Sequence, residues 1–157
     1  MSERITIYLA GPPFTQAERI WNRELAGALE SAIPGAEIIL PQARAAKFIR
    51  AGKPNFKAIA GDCIESIQRA DLMVAILDGA DADSGTCWEC GYAHALGKPI
   101  VGVRTDLRAS EDDGLNAMLR ETCSTLIALA ATTEDLAQLS KKIATAVARL
   151  RRRSPRR

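Results

Sequence analysis

Carboxylates crowd one stretch of this chain, Asp78 to Pro99, and the one in the least expected place is Glu89. It lies in Asp83-Ser84-Gly85-Thr86-Cys87-Trp88-Glu89-Cys90-Gly91-Tyr92-Ala93-His94-Ala95-Leu96-Gly97-Lys98-Pro99, a loop feeding a helix. Asp83 to Thr86 are turn and N-cap types, and Gly97 followed by Pro99 supplies a stop and a restart. Glu89 is the only acid within the helix, among neighbours that describe a largely buried segment. An unpaired carboxylate is costly there, so one that is kept is a site candidate. The bland alternative is a solvated first-turn glutamate stabilised by the helix dipole. Context favours the site, because Leu72 to Leu77 reads as a strand running into Asp78, Gly79, Asp81 and Asp83. That places several carboxylates at the carboxyl end of a strand, where open α/β sheets bind ligands.

The four cysteines, Cys63, Cys87, Cys90 and Cys123, offer a second chemistry. Cys87-x-x-Cys90 at a helix start is the geometry that lowers a thiol pKa, so a redox pair is an alternative to a carboxylate site. Against it, Glu89 puts a negative charge between the thiols, and the helix follows the third expected strand. A zinc site would need two further ligands, and His94 is the only histidine, so no metal and no cofactor are expected. Without a secretory pattern after Met1, a disulfide framework is not expected, and the chain reads as cytoplasmic. No apolar run reaches membrane-spanning length.

Those residues must be held by one domain, since 157 residues suffice for one core and not for two. Ile5 to Ala10 is a continuous apolar strand, stopped by Gly11-Pro12-Pro13, with Tyr8 near its end and Phe14 just past the turn. A carboxylate at the neighbouring strand end is the natural partner for the Tyr8 hydroxyl. A helix from Thr15 or Gln16 to about Ser31 buries Ile20, Leu25, Ala28 and Leu29, with Trp21 either on that face or at a pocket mouth. Glu37 to Leu40 is the second strand. The segment 42–54, with Arg44, Lys47, Arg50 and Lys53, has no period and reads as a partly helical, mobile surface piece able to act as a lid. Phe56 to Ala70 is a helix with Ile59, Cys63, Ile64 and Ile67 at core spacing and Asp62 beside them, either turned toward the sheet edge or solvated. Ile100 to Val103 is the fourth strand, Arg104 to Gly114 a charged loop, Asn116 to Glu121 a short helix and Thr125 to Leu129 the fifth strand. A helix capped by Thr133 runs from Glu134 to Leu150.

Strands alternating with helices imply an α/β fold, a doubly wound parallel five-stranded sheet in flavodoxin-like order 2-1-3-4-5, as a single domain over 1–150. Its switch point lies between the ends of the first and third strands, where Tyr8, Phe14, Asp78, Asp83 and Glu89 converge. Neither G-x-G-x-x-G nor a P-loop follows the first strand. The net charge of +2 rests on six arginines from Arg149 onward, without which the body carries −4. Residues 151–157 read as a disordered basic tail, a solvated helix end rather than a nucleic-acid grip. An aromatic content of 4% likewise argues against stacking on single strands.

Taken together, Ile7-Tyr8-Leu9-Ala10-Gly11-Pro12, the Asp62 helix ending Ala70-Asp71, Leu77-Asp78-Gly79, Asp83 to Ala93, Lys98-Pro99 and Gly114 to Leu119 resemble the nucleoside 2-deoxyribosyltransferase family. The D-x-G-x-x-x-E-x-G-x-A spacing is the most specific part. The resemblance implies transfer of a 2-deoxyribosyl group between the nucleobases of 2'-deoxynucleosides with retained configuration. Glu89 would be the nucleophile, Tyr8 its positioning partner and Asp62 the acid that protonates the departing base. It further implies that Asp83 binds the sugar 5'-hydroxyl and that Asn116 comes from a neighbouring subunit, hence a homo-oligomer. Gly11, Phe14, Asp78 and Gly85 complete the expected substrate-binding set. An N-glycosidase of the same family, and a non-enzymatic nucleoside-binding or C-x-x-C redox module, are the alternatives.

Overall fold

The computed structural model describes residues 4–106, 108, 115–128 and 135–153. Seven strands and six helices appear among them: β1 Ile5–Ala10, α1 Gln16–Ala32, β2 Ala36–Ile39, α2 Pro41–Ala45, β3 Ile49–Arg50, β4 Lys53–Pro54, α3 Phe56–Arg69, β5 Leu72–Ile76, α4 Ser84–Ala95, β6 Ile100–Arg104, α5 Ala117–Thr122, β7 Thr125–Ala128 and α6 Leu136–Arg153. Five strands make one parallel sheet in the order β2-β1-β5-β6-β7. Counted within that sheet, this is the expected order 2-1-3-4-5.

The two faces of β1 separate by residue parity, as the pleat requires. Ile5, Ile7 and Leu9 pack with Leu25 and Leu29 of α1 and with Leu139, Ile143 and Val147 of α6. Tyr8 and Ala10 face the other way, among Ile67 of α3, Cys90 and Ala93 of α4 and Leu119 of α5. The sheet is therefore wound on both sides, and the parity of β1 puts Tyr8 on the α4 side. Register sets Tyr8 beside Met73 of β5 and Ile39 of β2.

Helix ends follow local chemistry. Thr15 and Glu18 form a reciprocal capping box on α1, and Asn55 caps α3. At the far end of α4, Gly97 adopts φ +69°, Lys98 N–H donates to the Ala93 carbonyl at 3.0 Å and Gly97 N–H to that of His94 at 2.9 Å, a Schellman closure. Lys98 Nζ then donates to the carbonyls of Gln68 and Ala70, tying the end of α3 to the start of β6.

Several expectations are revised. Segment 42–54 contains a short helix and a β3–β4 hairpin, whose two turn residues, Ala51 at φ 49° and Gly52 at φ 74°, both take the left-handed conformation such turns need. Ala-Gly is a weak hairpin signal, which is why the sequence hides it. Ile20 is 44% exposed, outside the buried face of α1. Arg104 ends β6 instead of opening a loop and is buried, donating to the carbonyls of Leu77, Gly79 and Arg108. The Thr133 cap lies outside the described residues, and Asp135 accepts from the N–H groups of Ala137 and Gln138 at the start of α6. That helix continues to Arg153, past the expected boundary at 150, and residues 154–157 are not among those described. No described helix is long and apolar enough to cross a membrane.

Gly102 shows how tightly the sheet and α5 meet. A Cβ there would stand 2.6 Å from Cys123 Sγ and 3.1 Å from Leu77 and Leu126 methyls. Gly102→Ala is expected to cost about 1–3 kcal/mol by overpacking, lowering Tm by a few degrees. Adding Cys123→Ala should recover part of that loss; thermal unfolding of the single and double variants giving purely additive changes would disprove the contact.

Candidate active site

Because β1 ends in Ala10 and α4 opens just past β5, Tyr8 and Glu89 meet near the C-terminal edge of the sheet. The Tyr8 hydroxyl donates to Glu89 Oε1 at 2.6 Å. Tyr8 is wholly buried, while Glu89 keeps partial access to solvent. Burial pushes the Glu89 carboxyl up to about 7, aided by the negative charge of Asp83 and opposed by the Tyr8 hydrogen bond. Burial and the Glu89 carboxylate together drive the Tyr8 phenol far above its ordinary value, so it stays a proton-bearing donor. With Oε1 held by Tyr8, Oε2 is the oxygen left to act.

Cys63 of α3 was expected only as core, yet its thiol neighbours Tyr8 and feels the charges of Glu89, Asp62 and Arg44. It is the common neighbour joining the Tyr8–Glu89 pair to a second polar pair. Arg44 of α2 donates from Nε to Asp62 Oδ2 at 2.6 Å and from Nη2 to Oδ1, a bidentate ion pair. The Arg44 hydrogen bonds hold the Asp62 carboxyl below its ordinary value. Asp62 is thus one half of a bidentate ion pair with Arg44, and sequence could not show that α2 would bring a guanidinium onto it.

Asp83 is the N-cap of α4. Its Oδ2 accepts from Thr86 N at 2.8 Å and Thr86 Oγ1 at 3.0 Å, and it lies close enough to Glu89 to raise that group. Gly85 sits against it, where a Cβ would stand 3.1 Å from the same oxygen. Other expected residues are used elsewhere. Asp78 accepts from Thr105 N, Thr105 Oγ1 and Asp106 N, so its oxygens close the β5–β6 edge and do not turn toward Glu89. Gly11 is needed for packing, since a Cβ would approach Ile76 Cδ1 to 3.0 Å on the α1 side. Phe14 is 70% exposed at the rim. Asn116 is exposed, capping α5 through Met118 N at 2.8 Å, beside an exposed Met118.

Trp21 packs against the α1-side core and lines a separate hollow of about 380 Å³ with Pro12, Asn22, Asp78 and Thr105. The cysteine pair does not support redox chemistry. Cys87 is raised by burial and by Asp81 and Asp83, Cys90 is pushed up to about 12 by burial, and both are free. The helix N-terminus is outweighed by desolvation and acidic neighbours. Nor is α4 as buried as its composition suggests, since Trp88 is exposed and stacks on Tyr92 with ring centroids 5.3 Å apart.

The nucleoside 2-deoxyribosyltransferase family matches residues 7–119, most of the chain and every residue of this site. The chain belongs to that family. Its activity is accordingly deoxyribosyl transfer or related N-glycosidic cleavage. Among solved structures, a conserved protein from Enterococcus faecalis is similar at 26% identity and TM-score 0.74, over 92% of this chain and 99% of that one. A 2-deoxyribosyltransferase from Bacillus psychrosaccharolyticus has the same fold at 21% identity and TM-score 0.68, over 86% and 90%. A CMP N-glycosidase from Clostridium botulinum shares it at 20% identity and TM-score 0.55, over 88% and 97%. Among curated proteins none matches significantly.

The raised Glu89 carboxyl has a consequence for stability. Between its ordinary value of 4.5 and about 7 the folded chain holds a proton that the unfolded chain has released, so stability falls as pH rises through that window. Above it the cost is roughly 3 kcal/mol. Glu89→Gln, which keeps an acceptor for Tyr8, should raise Tm by several degrees at pH 8 and leave it nearly unchanged at pH 4. Equal Tm changes at both pH values would show that burial does not govern this carboxyl.

Proposed function

We propose that the chain transfers a 2-deoxyribosyl group between nucleobases through a covalent ester on Glu89. The observation that carries this is the half-buried Tyr8–Glu89 hydrogen bond at the C-terminal edge of the sheet in a chain of this family. Tyr8 fixes the carboxylate so that Oε2 attacks the anomeric carbon, and the departing base takes the bonding electron pair and picks up a proton from water. A second base then attacks the same carbon, gives its N–H proton to water and displaces Glu89. Two inversions retain configuration.

Asp83 offers its uncommitted Oδ1 to the sugar 5'-hydroxyl. Asn116 faces outward beside Met118, which fits supply to a neighbouring subunit's site in a homo-oligomer. Asp62 and Arg44 form the base end. The reading with water in place of the second base, an N-glycosidase, is favoured by the likeness to the Clostridium botulinum enzyme. Incubating deoxyinosine with and without free adenine separates the two. Transfer gives deoxyadenosine only when adenine is present, whereas hydrolysis releases hypoxanthine and free deoxyribose without it.

Glu89→Ala should abolish exchange while far-ultraviolet circular dichroism stays native, and residual exchange above background would refute the covalent route. Activity of the unaltered protein should rise with pH through about 7, as Glu89 ionises. Asp83, an acceptor when ionised, suits a neutral hydroxyl and repels the roughly two charges of a monophosphate. Deoxynucleosides are expected to exceed their 5'-monophosphates in kcat/KM by on the order of a thousandfold. Asp83→Ser, which still caps α4, should narrow that gap; comparable values in the unaltered protein would contradict this role for Asp83.

A further inference from the structure

Arg44 has more hydrogen-bonding capacity than its partner uses. A guanidinium carries five N–H donors, and the Asp62 carboxylate takes one from Nε and one from Nη2. The remaining three meet no acceptor among the described residues. Arg44 is nevertheless not a free surface arginine, for its side chain is 32% exposed and that of Asp62 15%. A half-buried guanidinium clamped on one edge is oriented, so its other edge presents paired donors in a fixed plane.

Its place in the fold gives that edge a use. Helix α2 follows the C-terminal end of β2, next to the end of β1 that carries Tyr8. Cys63 sits beside Tyr8 and within electrostatic reach of Glu89, Asp62 and Arg44 together. If the deoxyribose reacts at Glu89, its base extends from the same carbon toward a neighbouring group of the site, and the Arg44–Asp62 ion pair, joined to Tyr8 and Glu89 through Cys63, is a polar pair on the α3 side. Lys47, just beyond α2, adds positive charge near Asp62, and no acid occurs between Glu37 and Asp62. Arg44 and Lys47 thus supply donors at this end, and Asp62, the carboxylate hydrogen-bonded to Arg44, is already occupied, while Glu37 acts on Arg44 only through its charge.

Resting on the transferase reading above, we propose that Arg44, anchored by Asp62, is the residue that selects the base, and that it selects 6-oxopurines over 6-aminopurines. A 6-oxopurine presents two adjacent acceptors, O6 and N7, which match the two-donor edge of a guanidinium. A 6-aminopurine presents a donor at position 6, which opposes it. Discrimination by such a pair amounts to about tenfold to a hundredfold.

The test compares kcat/KM for deoxyinosine and deoxyadenosine as donors to one common acceptor base. The unaltered protein should prefer deoxyinosine by about tenfold or more. Arg44→Met should bring the ratio to within about threefold by losing rate on deoxyinosine alone, and Arg44→Lys should keep part of the preference. A structural role for Arg44 would lower both substrates together, and that result, or no preference in the unaltered protein, overturns the proposal. Calorimetric binding of free hypoxanthine and adenine to Glu89→Ala reads the same recognition without turnover. Tighter hypoxanthine binding that depends on Arg44 supports the assignment even if the unaltered protein proves to hydrolyse and not transfer. Equal binding of the two bases sinks the assignment while leaving exchange chemistry at Glu89 intact.

Discussion

A carboxyl group taken out of water beside a phenol is the constraint on which the rest of this molecule depends. Tyr8 is buried and its hydroxyl is 2.6 Å from Glu89 Oε1, so one hydrogen bond offsets part of the desolvation of both groups. Burial still wins, leaving Glu89 titrating at about 7. That is where a carboxylate can be both ionised enough to act and weakly enough solvated to be reactive. The remainder of the fold serves to hold the two residues in register. A parallel pairing aligns β1 with β5, the Asp83 cap starts α4 at a defined residue, and the Schellman closure at Gly97 ends it.

The strand ends carry more charge than the site can use, and the structure disposes of it by backbone contacts. Asp78 is saturated by Thr105 and the Asp106 N–H, Asp106 accepts from Gly79 N–H and pairs with Arg108, and Arg104 donates to three carbonyls. These contacts seal the β5–β6 edge. They also remove Asp78 from the candidate site, leaving Asp83 as the carboxylate that influences Glu89. A cluster of acids in sequence is thus divided in space between one set that closes the strand ends and another grouped around Glu89.

The main sheet was legible because buried parallel strands are short apolar runs and the helices between them are capped by recognisable residues. Ile5 to Ala10 and Leu72 to Leu77 read as strands, the second ending at Ile76 in the structure, and the helix starts read at Thr15 or Gln16 and within Asp83 to Thr86 hold the caps Thr15 and Asp83. What misled was exposure. Ile20 and Trp88 are apolar and face solvent, since periodicity names a face and not what covers it. The β3–β4 hairpin was hidden because its turn is built on Ala51 and Gly52, and the redox alternative arose because spacing says nothing of desolvation.

Sequence alone determined the alternation of elements, the placement of Glu89 and Asp83 at a helix start, and the membership that residues 7–119 make plain. It did so because caps, turns and apolar strands are short-range features. Only the tertiary structure decided which polar groups meet. The 81 residues separating Tyr8 from Glu89, and the 18 separating Arg44 from Asp62, are closed by strand order and helix packing. Whether a carboxyl is raised, as Glu89 is, or held down, as Asp62 is, follows from the partner and the water that packing leaves it.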